Sequence, residues 1–107
     1  MKLLTKEILK KLPPIYSTQD QNLAEVRVIT KFFNPCSSSS WYACEFDPRD
    51  GLFFGFVNLG DDQMAELGYF SLKEFEEHNE HSFFGIERDK YWDDTITLDE
   101  VMKFKKR

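Results

Sequence analysis

The sequence predicts an α+β fold: a small antiparallel sheet of about four strands, with an N-terminal helix and two further helices packed against it. Three observations predict it. Four short segments rich in aromatic and β-branched residues follow one another between residues 25 and 70, separated by turn chemistry. Three segments with helical spacing of apolar residues flank that block, and two of them open with a hydroxyl residue followed three positions later by Glu. No repeat or compositional break divides the chain, so residues 1–107 read as one domain, its helices on one face of the sheet or at one end.

Each element has its own justification. Thr5 can cap a first helix running to about Leu12, with Leu4, Ile8, Leu9 and Leu12 as its apolar stripe and Lys6, Lys10 and Lys11 on its polar side. Pro13 and Pro14 end it, because proline cannot continue the hydrogen-bond ladder. A polar connection, IYSTQDQN, follows. Residues 25–33 alternate, with Val26, Val28, Thr30 and Phe32 on one face and Arg27, Ile29, Lys31 and Phe33 on the other. The serine-rich NPCSSSS is a loop, and SWYACEF is the second strand.

The segment DPRDG then signals a hairpin. Asp47 can bond the turn backbone, Pro48 presets its own φ, and Gly51 can take a positive φ. LFFGFVN is the third strand, where Gly55 suggests a bulge or a close backbone approach. LGDDQMA is a loop and ELGYF a short fourth strand. Ser71 and Glu74 mark the start of a second helix with Leu72 and Phe75 turned inward. Residues 80–94 read as irregular or briefly extended. Thr97 and Glu100 open the last helix, whose buried stripe is Leu98, Val101, Met102 and Phe104.

Composition narrows the function classes. Eleven Phe, four Tyr and two Trp imply a largely aromatic core. No apolar run approaches the roughly 20 residues of a membrane span. The N-terminal residues lack both an apolar stretch of signal-peptide length and a small-residue cleavage site, so a soluble cytoplasmic protein is expected. Cys36 and Cys44 are then expected to stay reduced. Charge is segregated: residues 45–100 hold 16 acidic side chains against four basic ones, and the remainder holds three against ten. Such an acidic middle repels nucleic acid and attracts a basic surface. The bland alternative is a solvated, solubilising surface. The basic runs LKKL and KFKKR are short, so direct nucleic-acid binding is not favoured.

No residue pattern carries recognisable catalysis. Asp47 and Asp50 lie three apart in a turn, where their environments do not push two pKa values apart. His78 and His81 have the spacing of one helical face, but a third and fourth ligand at patterned spacing are missing. The five glycines are scattered, so no phosphate loop is present. Glu87, Arg88 and Asp89, beside Tyr91 and Trp92, read as a salt bridge or a contact site. A non-enzymatic protein without cofactor or metal is expected, with an unrecognised hydrolase using His78 and His81 as the reading to exclude.

The stretches MKLLTKEILKKLPP, KFFNP, WYACEFDPRDGLFFGFV, ELGYFSLKEFEE and IERDKYW together resemble a family of small proteins known only as a domain of unknown function. Its members are carried by plasmids, phages and integrative conjugative elements. The resemblance covers nearly the whole chain and implies no catalytic residues. It departs from the family pattern in the serine-rich loop at 34–40 and the acidic loop at 58–65. What it implies is a mobile-element setting, where accessory proteins commonly act against host restriction or CRISPR defences. The leading expectation is an inhibitor that binds a host defence nuclease or nuclease–RNA complex, an RNA-guided CRISPR effector of the single-protein type, and blocks guide RNA or DNA loading. Its candidate contacts are Asp61, Asp62, Glu76, Glu77, Glu80, Asp93 and Asp94. The alternative is a plasmid or phage accessory protein that binds nucleic acid or a transfer protein through its basic termini.

Overall fold

The computed structural model describes residues 2–103. In chain order the elements are α1 (Lys6–Lys11), β1 (Thr30–Phe33), β2 (Ser40–Asp47), β3 (Leu52–Asn58), β4 (Glu66–Ser71), α2 (Leu72–His81), β5 (Glu87–Arg88) and α3 (Leu98–Met102). The five strands form one antiparallel sheet in the order β4-β3-β2-β1-β5. The α+β expectation holds. The fifth strand is the two-residue β5, which pairs Arg88 with Phe32 and Glu87 with Phe33.

The local signals act as expected. The Thr5 hydroxyl accepts the Ile8 N–H, and the Ser71 hydroxyl accepts the Glu74 N–H. Thr97 and Glu100 form a reciprocal capping box. The Asp47 carboxylate accepts the Arg49 N–H at 2.9 Å, its carbonyl accepts the Gly51 N–H at 2.9 Å, and Gly51 takes φ +64°. Asp47 is therefore a turn residue. Phe104 of the expected α3 stripe lies outside the described residues.

Two apolar clusters cover the two faces of the sheet, so helices lie on both sides rather than on one face or at one end. The first joins Phe32, Phe46, Phe53, Phe70 and Phe75 to Leu4 and Leu12, under α1 and α2. Its rings are in direct contact: centroids are 4.6 Å apart for Phe46 and Phe53, 5.2 Å for Phe53 and Phe70, and 4.9 Å for Trp41 and Phe75. Each fully buried ring stabilises the fold by about 1.5–3 kcal/mol. The second cluster joins Val26, Val28, Cys44, Phe56 and Leu98, with Tyr42, Trp92, Val101 and Met102 against it, under α3.

Residues 25–33 are not one uniform strand. The β1 ladder begins at Thr30. Upstream, Val28 N–H donates to the Ile96 carbonyl at 2.8 Å and Leu98 N–H to the Val26 carbonyl at 2.7 Å, bracketing a bridge between Arg27 and Thr97. The expected single face of Val26, Val28 and Phe32 is thus divided. The two valines belong to the cluster with Leu98 and Phe32 to the aromatic cluster, because the alternation slips at Ile29.

A second slip sits in β2. Ala43 pairs with Gly55 and Glu45 with Phe54, so Cys44 is the extra residue of a β-bulge. The bulge resets which face each later residue occupies. Cys44 lies in the second cluster, and Phe46 returns to the aromatic one. Gly55 makes this possible: a Cβ there would stand 1.8 Å from the Tyr42 carbonyl oxygen.

Candidate functional site

The seven carboxylates singled out from the sequence occupy three places. Asp61 and Asp62 share the β3–β4 turn, where Asp61 accepts the Gln63 N–H at 3.0 Å and Asp62 accepts from the Asn58 amide at 2.8 Å. Glu76 and Glu80 line a cavity of about 560 Å³ between α1 and α2, with Lys2 on its wall and Phe46 and Leu72 among its apolar residues. Glu77 is exposed on α2. Asp93 and Asp94 lie between β5 and α3, beside cations. Lys11 Nζ is 2.8 Å and Arg27 Nη2 3.0 Å from the Asp94 carboxylate.

These settings divide the seven. The hydrogen bond from Lys11 is the first cause holding the Asp94 carboxyl below its usual value, with the charge of Arg27 assisting. Asp93 is lowered mainly by bonds from Thr95, whose N–H and hydroxyl it accepts at 2.9 and 2.6 Å. Both therefore act within the fold: Asp94 joins α1 to the chain before α3, and Asp93 shapes the turn. Asp61, Asp62, Glu76, Glu77 and Glu80 make no ion pair with any described residue.

The acidic turn opens onto an apolar sheet edge. Leu59, Met64, Leu67 and Tyr69 are exposed along β4 and the turn before it. Two cavities of about 490 and 480 Å³ run along this edge and share Val57, Leu59 and Tyr69. Asp61 and Glu66 line the first, Glu74 and His78 the second, and no lysine or arginine lines either among the described residues. Sequence reading left Glu66 and Glu74 in a strand and a helix start. The signal that could have found them is that β4 is a terminal strand carrying alternate exposed apolar groups, which requires knowing the strand order.

A further residue missed from sequence is Glu45, 1% exposed in the middle of β2. Its carboxylate accepts the Tyr16 N–H at 2.7 Å, the Thr18 N–H at 2.9 Å, and the Thr18 hydroxyl. Tyr16 takes φ +71° to offer its amide, and its ring meets Tyr69 edge-on at 6.4 Å. The Tyr69 phenol is pushed up, first by desolvation, then by hydrogen bonding with Tyr16 and the charge on Glu45. The polar connection after α1 is thus fastened to the sheet beside its β4 edge.

The remaining candidates stand apart from these features. His78 and His81 are exposed in the last turn of α2. No group of three His, Cys, Asp or Glu among the described residues is placed to hold a metal ion. Cys36 is exposed and Cys44 buried, both as free thiols. Burial first, then the Glu45 charge, push the Cys44 thiol up to about 12. No described helix is long and apolar enough to cross a membrane.

No curated protein and no solved structure matches the chain. The sequence model of one family does match, over residues 3–107. The chain therefore belongs to the family described as protein of unknown function, DUF2958.

Proposed function

We propose that this protein is a non-enzymatic, mobile-element inhibitor of a bacterial defence nuclease, an RNA-guided CRISPR effector, that binds the nuclease and blocks loading of guide RNA or DNA. The observation that carries the reading is a set of exposed carboxylates that make no ion pair among the described residues. Asp61 and Asp62 in the β3–β4 turn and Glu77 on α2 stand in solvent with no ion pair to a described residue. A nuclease channel that binds polyanions is lined with bases. Opposite charge speeds encounter with such a surface and selects against acidic partners. A compact protein seated there excludes nucleic acid by occupancy, without turnover.

The reading is tested with purified RNA-guided nuclease, its guide and a labelled DNA target. Expected is stoichiometric loss of cleavage when the protein is added before the guide, with weaker inhibition at higher salt. Charge reversal at Asp61, Asp62 and Glu77 together is expected to reduce potency by at least about tenfold, corresponding to about 1.4 kcal/mol. Full potency in the reversed variant overturns the acidic-surface mechanism. A shift of labelled DNA or RNA by the protein alone, steeply weakened by salt, favours instead the accessory reading through the exposed Lys6 and Lys10 of α1.

A further inference from the structure

We propose that the free edge of β4 receives an extended basic segment of the partner by strand addition; this rests on the reading of the acidic surface as a docking face and names its mode of contact. The backbone supplies the first argument. Leu72 N–H donates to the Gly51 carbonyl at 2.9 Å, in register with the β3–β4 ladder that pairs Ser71 with Leu52 and Gly68 with Gly55. Hydrogen-bonded pairs alternate along an antiparallel ladder. Residues 66, 68 and 70 therefore bond to β3, while Leu67 and Tyr69 turn their N–H and C=O groups away from it. β4 is the end of the sheet, so these groups meet no other strand among the described residues.

The edge lacks three of the usual protections. β4 contains no proline, no lysine and no register shift against β3. A Cβ at Gly68 would meet nothing within 4 Å, which leaves room for a close backbone approach. The two flanking cavities offer space for apolar side chains of an added strand.

Charge selects the occupant. Asp61 and Glu66 border one end of the edge and Glu74 the other, and no lysine or arginine lines either cavity among the described residues. The complementary segment alternates apolar residues with Lys or Arg. A second copy of this chain is a poor match. Antiparallel self-pairing centred on Gly68 would bring Asp61 and Glu66 of each chain toward Glu74 of the other, with like charges meeting at both ends.

The probes are a blocked (Lys-Val)4 peptide and its (Glu-Val)4 counterpart, added to the full-length isotope-labelled chain. The readout is hydrogen exchange at the Leu67 and Tyr69 amides. Expected is exchange slowed about tenfold when the basic peptide fills nine-tenths of the sites, and unchanged with the acidic peptide. Leu67→Pro removes an outward donor and leaves the β3 ladder intact, so it should abolish protection at Tyr69. Asp61→Lys with Glu66→Lys keeps the backbone and should reverse the peptide preference. Absence of protection, equal protection by both peptides, or concentration-dependent protection without peptide each overturns the proposal, the last in favour of a second copy. Nuclease inhibition that survives Leu67→Pro overturns strand addition and leaves the inhibitor reading standing. Peptide protection without inhibition by the wild-type chain overturns the inhibitor reading alone.

Discussion

The Glu45 carboxylate sits 2.7 Å from the Tyr16 amide nitrogen, a hydrogen bond between the centre of β2 and a residue 29 positions earlier. One buried charge thereby orders a loop that has few apolar groups of its own. The bulge at Cys44 brings this about: it resets the strand's alternation so that Phe46 can enter the aromatic cluster.

Replacing Glu45 with Ala should therefore cost far more than a surface substitution. It leaves the donors of Tyr16 and Thr18 without their acceptor and empties a buried volume. A loss of about 2–4 kcal/mol is expected, read as a lower urea midpoint, with Glu45→Gln losing less because one acceptor oxygen remains. Amide exchange should accelerate first at Tyr16 and Thr18. Unchanged exchange at both would show that the carboxylate does not hold the loop.

Two glycines of paired register should respond in opposite ways. At Gly55 a methyl group would collide with the Tyr42 carbonyl, which belongs to backbone and cannot move aside cheaply. Gly55→Ala is expected to destabilise by about 3 kcal/mol or more. At Gly68, its ladder partner, the same methyl meets open space. Gly68→Ala should be neutral or stabilising by up to about 1 kcal/mol, since it reduces unfolded-chain freedom. Thermal melting of the two variants side by side decides the matter.

The cysteines should separate cleanly under alkylation. Cys36 lies in the exposed loop between β1 and β2, while the Cys44 thiol is buried and pushed up to about 12. The thiolate is the nucleophile, so Cys44 offers almost none at pH 8. Iodoacetamide should give one adduct on the native chain, mapped to Cys36 by mass spectrometry, and two in denaturant. Rapid native labelling at Cys44 would contradict its placement beneath the second cluster.

What was legible in the sequence was local. The Thr97–Glu100 box and the Asp47–Gly51 turn are each set by residues within a few positions, and both are readable from residue type and spacing. At Gly55 the residue type signals a close approach, but the backbone it approaches, Tyr42, lies on the neighbouring strand. What was not legible depends on partners distant in sequence. Val26 and Val28 leave the β1 ladder because residues 96–98 claim their backbone groups. Glu45 reads as a solvated carboxylate until the bulge and the Tyr16–Thr18 loop are both in place. Asp94 read as a free surface acid because its cations come from residues 11 and 27. The acid-lined edge at Glu66 and Glu74 follows from strand order, which composition does not encode.

Asp94 also gives the fold an acid-side dependence whose sign can be worked out. Its folded-state value is lowered, first by the Lys11 hydrogen bond and then with help from the charges of Lys11 and Arg27. An unfolded Asp titrates near about 3.9. The stabilisation is therefore fully present above that value and is lost as pH falls through the lower folded value. Solvent reaches both cations, so the two pairs together are worth about 1 kcal/mol or less. Asp94→Asn should lower the melting temperature at pH 6 and converge with the wild type as the pH approaches 2. Asp93 is lowered as well, but by bonds from Thr95 that Asp94→Asn leaves in place, so the variant should retain part of the acid dependence. A difference between wild type and variant that persists undiminished to pH 2 would mean that the substitution acts through packing rather than through the charge that joins α1 to the chain before α3.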